Sequence, residues 1–342
     1  MSRPFRTALA TALAALSASQ AHADVVPVTF TDTSAVVVTG GVPVARSATI
    51  SGLTNVLGFT LNGDWTAVSP DMNNRLPFSD EFTVRLAGPG GFTAVEGNAG
   101  GVPNANPFRF PIGGPPTFPV SIAATGGMIV APFQGGRLAL TNFAPSTIAA
   151  GTLTATFDTR IAGTTAQVAG ASLDFYTNPA SATGTTTGGT TYNRPTEFAD
   201  STPSGVQVNY ATQTLTVSAT GRYLFGQVTA AAGQDGFLSL YGPGGFDPAN
   251  PLTNLRALSD DESGVDFPSK QQSGLVADLT AGTTYTLVSA GLTASDAGTF
   301  TLYGAGVGTV TFAPVPEPTT VLLAAGAALV GGRAVRRRAV GS

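Results

Sequence analysis

The sequence predicts an all-β chain of two tandem β-sandwich domains of jelly-roll type, with an apolar helical segment at each end. Three observations carry this. Short runs rich in Val, Thr, Phe, Tyr and Leu alternate with clusters of Gly, Pro, Asn and Asp, and no long amphipathic helical pattern interrupts them. A hydrophobic content of 42% is enough for sizeable cores, while 43 glycines and 24 prolines in 342 residues supply frequent turns. An eleven-residue stretch also recurs: FTVRLAGPGGF at 82–92 returns as GFLSLYGPGGF at 236–246, identical at six positions. Its shared Leu-x-Gly-Pro-Gly-Gly-Phe is a strand running into a turn, in which Pro presets one φ and the glycines accept positive φ.

Residues 1–23 read as a secretory signal peptide. Arg3 and Arg6 form the charged start, 7–16 an uncharged apolar run, and Ala21-His22-Ala23 a signal-peptidase site. The apolar run is shorter than the ~18 residues that a membrane span requires. The first domain is expected over 24–162, with strands at 25–30, 47–50, 56–61, 82–86, 128–131, 137–140 and 152–157. Residues 103–119 (PNANPFRFPIGGPPTFP) form a Pro-rich surface loop pinned by Phe108, Phe110 and Phe118. A linker is expected over 163–191, because 182–191 (ATGTTTGGTT) has no apolar anchor. The second domain is expected over 192–314, with strands at 206–209, 213–218, 222–229, 237–241, 274–279, 283–289 and 298–303.

The composition excludes much chemistry. There is no Cys, the lone His22 falls inside the signal peptide, and the sole Lys is Lys270. Disulfides, zinc sites built on Cys or His, thiol catalysis and imidazole-dependent triads are therefore absent from the mature chain. No G-x-S-x-G or H-E-x-x-H occurs either. Residues 24–314 keep ten basic and nineteen acidic residues, a net charge of −9. An acidic body without a basic stripe argues against nucleic acid or anionic lipid as a partner. The chain is expected not to be an enzyme.

The last 28 residues carry a second address. Pro316-Glu317-Pro318 is followed by an uncharged run over 319–332, then Arg333 and Arg336-Arg337-Arg338. Residues 319–335 make a helix at the lower length limit for spanning a bilayer, and the arginines make its cytoplasmic stop. The proline–glutamate motif, the helix and the basic cluster, in this order, resemble the PEP-CTERM sorting tail of Gram-negative bacteria. The resemblance implies export, a passage through the inner membrane, and recognition by an exosortase, a transpeptidase-like membrane enzyme. It also implies a final place at the cell surface or in the matrix of a biofilm- and exopolysaccharide-producing host. The tail is assigned to 315–342.

Residues 206–303 resemble the pre-peptidase C-terminal family of extracellular β-sandwich modules. The matching stretches are Gly221-Arg222-Tyr223-Leu224-Phe225, Asp235-Gly236-Phe237-Leu238-Ser239-Leu240-Tyr241, Asp260-Asp261, Ala281-Gly282-Thr283-Thr284-Tyr285-Thr286-Leu287 and Ala297-Gly298-Thr299-Phe300-Thr301-Leu302. The resemblance implies a non-catalytic module, and the companion peptidase is missing from this chain.

Two ligand readings remain. Residues 235–266 hold six acids against Arg256, and Asp260, Asp261, Glu262 and Asp266 form an oxygen-rich loop suited to Ca²⁺. The competing reading is a solvated acidic loop that keeps a sheet edge soluble. Asp64, Trp65 and Asp71 form the one acid–aromatic grouping suited to a sugar, which makes a carbohydrate-binding or glycoside-active surface protein the alternative to a structural or adhesive role in exopolysaccharide.

The calcium reading predicts a measurable stabilisation. A cation bound by the folded state alone adds roughly 2.7 kcal/mol at a hundredfold excess over its dissociation constant. Melting the mature protein in EDTA and in millimolar calcium at fixed ionic strength separates the readings: a rise of several degrees that vanishes on Asp260→Asn with Asp261→Asn places the site, and equal melting temperatures leave the solvated loop.

Overall fold

The computed structural model describes residues 24–69, 82–91, 93–96, 129–134, 146–159, 165–195, 203–230, 234–259 and 272–313. The first half holds ten strands: β1 (Asp24–Thr29), β2 (Val36–Thr39), β3 (Val44–Ile50), β4 (Leu53–Ser69), β5 (Phe82–Ala87), β6 (Thr93–Glu96), β7 (Ile129–Gln134), β8 (Ser146–Ile148), β9 (Gly151–Thr159) and β10 (Thr165–Thr177). They form two antiparallel sheets. One runs β1-β10-β4-β7, with β2 also on β10 and β8 on β4; the other runs β3-β9-β5-β6. Period-2 patterning explains the pairing. In β9, Leu153, Ala155 and Phe157 are buried between threonines that face outward. Together with Ala48, Ile50, Val84, Leu86, Val168, Leu173 and Phe175 they fill one core between the two sheets. Phe30 meets Phe157 edge-on within it, ring centroids 5.7 Å apart.

The second half repeats this plan with β11 (Ala180–Thr185), β12 (Thr191–Pro195), β13 (Pro203–Val217), β14 (Gly221–Thr229), β15 (Gly236–Tyr241), β16 (Leu255–Ser259), β17 (Gln272–Leu279), β18 (Tyr285–Gly291), β19 (Thr299–Gly306) and β20 (Val310–Phe312). Its sheets run β11-β19-β14-β17 and β12-β13-β18-β15-β16, with β20 also on β13. Strands β1, β3, β4, β5, β6, β7, β9 and β10 thus correspond in order and neighbours to β11, β13, β14, β15, β16, β17, β18 and β19. In both halves this nesting is the strand order of an eight-stranded jelly roll. The repeated segment occupies the same place in each. Val84 and Leu86 of β5 and Leu238 and Leu240 of β15 all point into their cores. Past the strand, Gly90 and Gly91 (φ 71° and 80°) match Gly244 and Gly245 (φ 102° and 75°), conformations that require glycine.

The sequence expectation fails at the junction. Residues 163–191 do not form a linker: β10 lies between β1 and β4 in its sheet, and β11 pairs with β19. Only Asn178 and Pro179 separate the two strands. The Thr/Gly tract makes a strand because its backbone completes a ladder, and no apolar side chain is needed for that. The two strands expected at 206–209 and 213–218 are one, β13. The signal peptide, the Pro-rich loop, the expected strand at 137–140 and the helix at 319–335 lie outside the described residues. Among the described residues, no helix is long and apolar enough to cross a membrane.

The two halves are joined face to face. Leu57 and Tyr176 turn away from the first core, Leu224 and Ala305 away from the second, and these four buried residues pack together with Val25, Val276 and Tyr303 around them. A bulge aims Leu57. Tyr176 registers with Gly58 and Thr177 with Val56, so the residue between them is squeezed out of step. Asn55 (φ 51°) and Asn178 (φ 50°) close the joint: the Asn178 N–H donates to the Asn55 carbonyl at 2.9 Å, and the Asn55 side chain donates to that of Asn178 at 3.3 Å. The Tyr176 hydroxyl lies 3.4 Å from Thr60 Oγ1, and burial pushes its pKa up to about 12.

Part of the outer face of the last sheet is also covered. Every residue of β15 and β18 is buried. Phe246, at the end of the repeated motif, packs against Tyr192, Tyr210 and Tyr241 with centroids 4.9–5.2 Å apart. Tyr241 donates to the Pro251 carbonyl at 2.8 Å, and Arg194 stacks 4.9 Å above Phe237.

Truncating the seam tests its weight. Leu57→Ala is expected to cost about 2–5 kcal/mol, as for other buried leucines. Urea unfolding of the mature protein should show this loss, with the halves melting in separate steps once the seam is loosened.

Candidate functional site

The site with a sequence signature is the C-terminal sorting segment, and the structure defines how the chain reaches it. After β19 the chain is fastened almost residue by residue. Ser218 N–H donates to the Thr309 carbonyl at 3.0 Å, and the Thr309 N–H returns to Ser218 Oγ at 2.8 Å. Val310 is buried and Phe312 packs on the same core. Ala313 N–H donates to the Thr214 carbonyl at 2.9 Å. Gln213 then ends the ladder: its Nε2 donates to the Ala313 carbonyl at 2.5 Å and to that of Thr214 at 3.0 Å. Gln213, Leu215 and Val217 share the inward parity of β13, so this amide occupies a core position and is spent on the exit of the chain. Sequence reasoning missed Gln213. Its signal was a polar residue at a position the alternation reserves for an apolar one.

From Ala313 three residues lead to Pro316, a span of at most about 10 Å. Pro316, Glu317, Pro318, Arg333, Arg336, Arg337 and Arg338 themselves lie outside the described residues.

The proposed calcium ligands Asp260, Asp261, Glu262 and Asp266 also lie outside them, on the connection from β16 to β17. Asp247 of the same stretch and Asp296, outside it, are described on turns, and each is used locally. Asp247 accepts from Asn250 Nδ2 at 2.7 Å and from the Ala249 N–H at 2.9 Å, which holds its carboxyl below the usual range. Nearby, Asp296 accepts from the Thr293 hydroxyl and N–H at 2.6 and 2.8 Å, closing its own turn. Asp235 is buried, and its N–H reaches Asp296 Oδ1 at 3.4 Å. Among the described residues, no group of three or more His, Asp or Glu gathers to hold a metal.

The proposed sugar residues are divided. Asp64 and Trp65 are consecutive on β4, where Asp64 registers with Ala169 and Pro132, and Trp65 with Val168 and Ala131. Asp71 lies outside the described residues.

Comparison with known proteins finds a family model at the tail. The PEP-CTERM protein-sorting motif matches residues 314–338, beginning directly after the last fastened residue. No curated protein matches the chain. Among solved structures, the chain is similar to one of infectious bursal disease virus Gt strain at 11% identity and a TM-score of 0.24, over 86% of this chain and 41% of that one. A structure of the Gx strain gives 13% identity and a TM-score of 0.09, over 87% of this chain and 80% of that one. The chain thus spans about two fifths of the Gt-strain chain. The sorting motif marks an exported protein, sorted by way of the membrane and processed by an exosortase-type enzyme.

The clamp gives a local test. Gln213→Leu removes the donor to Ala313 and is expected to cost about 1 kcal/mol. Hydrogen-exchange mass spectrometry should show faster exchange confined to 309–313, with β14 and β18 unchanged.

Proposed function

We propose that this is a non-catalytic protein of the cell surface or exopolysaccharide matrix, with a structural or adhesive role, delivered by its C-terminal sorting tail. The observation that carries the reading is the direct succession of two fused jelly rolls and a sorting motif without a spacer. The polar groups of the described turns are engaged in closing those turns, as at Asp247 and Asp296, which suits a durable body. Such a body offers extended sheet surfaces to a polymer. A signal peptidase removes residues 1–23, the precursor is held in the inner membrane by 319–335, and the exosortase-type enzyme releases it near Pro316-Glu317-Pro318.

The test is made in the native host. Pro316→Ala with Pro318→Ala is expected to leave an unprocessed form in the inner-membrane fraction, while the parent protein moves to the surface or matrix. Intact-mass measurement of the native protein gives the second arm, since a C-terminus still at Ser342 would overturn the sorting reading.

A further inference from the structure

We infer that in the unprocessed precursor the second jelly roll lies against the lipid surface on the uncharged threonine strip formed by β13 and β20. The inference rests on reading residues 319–335 as a membrane helix, and it adds an orientation and a contact surface to that reading.

The first argument is tether length. The last fastened residue is Ala313, held by the backbone of Thr214 and the side chain of Gln213. The apolar run begins at Thr319. Six residues, fully extended, reach about 20 Å. The headgroup layer takes about 5–8 Å of this, so the point of exit stands no more than about 15 Å above the lipid. A folded jelly roll cannot be that close to the bilayer without presenting the side from which the chain leaves.

The second argument is charge. Residues 24–314 carry a net charge of −9, so most of this surface is repelled by anionic lipid within about one Debye length, ~8 Å. The exit side is different. Strands β13, β18 and β20 and the turns at 218–220 and 280–284 contain no charged residue. Thr212, Thr214 and Thr311 are exposed there, and Thr216 registers with Thr311 across the β13–β20 pair. Arg194, the charged residue of the adjacent β12, is turned onto Phe237 and the Leu292 carbonyl. Hydroxyl groups hydrogen-bond to phosphate and glycerol oxygens without the desolvation cost of an ion. The side that the tether brings toward the membrane is therefore built on strands that carry no charge.

The absence of cysteine makes the test clean. Single cysteines at Thr212, at Thr311 and, as a distant reference, at Val42 of the first jelly roll are labelled with an environment-sensitive fluorophore. The full-length precursor is inserted into vesicles of phosphatidylethanolamine and phosphatidylglycerol containing headgroup-nitroxide lipid. Thr212→Cys and Thr311→Cys are expected to be quenched several-fold more than Val42→Cys, and a twelve-residue Gly-Ser insertion after Ala313 should reduce the difference. Equal quenching at the three positions overturns the inference. So does shielding of Thr212 and Thr311 that develops only when the processing enzyme is added, because the strip then belongs to that protein. Failure of the precursor to resist carbonate extraction overturns instead the membrane-helix reading on which the inference rests.

Discussion

The arrangement depends on two sheets being buried on both sides. The sheet holding β4 and β10 has the first core on one face and the seam on the other, and the sheet holding β14 and β19 is placed in the same way. Such strands cannot alternate apolar and polar residues as solvated strands do. The consequence is visible in Tyr223-Leu224-Phe225, where three consecutive residues are buried, the outer two in the core and the middle one in the seam. The four sheets stack as layers, and the two halves of the chain share a buried apolar seam. Domain contacts within a chain usually permit relative motion unless they are apolar and extensive. Here the joint has two residues, and its Asn178 is bonded to Asn55 of β4.

Not all of this was hidden in the sequence. The strand at 152–157 announces itself because Leu153, Ala155 and Phe157 alternate with threonines, and those at 222–229 and 283–289 by their runs of Tyr, Leu, Phe and Val. The repeated Leu-x-Gly-Pro-Gly-Gly-Phe pointed to two related modules, and its two copies follow β5 and β15, which hold the same place in the two strand orders. What the sequence did not display was pairing that depends on backbone alone. The strand from Ala180 to Thr185 has no apolar side chain larger than Ala, and its place is set by β19. The seam was equally silent. Leu57 is one more apolar residue in an apolar run until a bulge turns it outward, and a bulge is a property of register between segments more than a hundred residues apart.

The candidate sites divide along the same line. The sorting tail was legible because its information is linear: three residue types, an apolar length and a basic end. The calcium and sugar readings needed several side chains to converge in space, which spacing along a chain does not report. Asp247 shows the difference. Counted as one of six acids, it adds to a cation site; in the structure its carboxylate is occupied by Ala249 and Asn250 of its own turn.

Each jelly roll is closed by its first strand pairing with one near its end: Asp24 registers with Thr177, and Ala180 with Gly304. Contacts of such wide sequence separation form slowly, because a large loop must be closed before any reward arrives. For a chain that crosses a membrane from its N-terminus, this sets a schedule. The first half cannot complete its sheet until residue 177 has emerged, and the second not until 304 has. Each half therefore stays open until its own closing strand is present. The second closes shortly before the sorting motif at 314–338 begins. A chain lacking β19 would leave β11 without its partner and β14 with an unpaired edge.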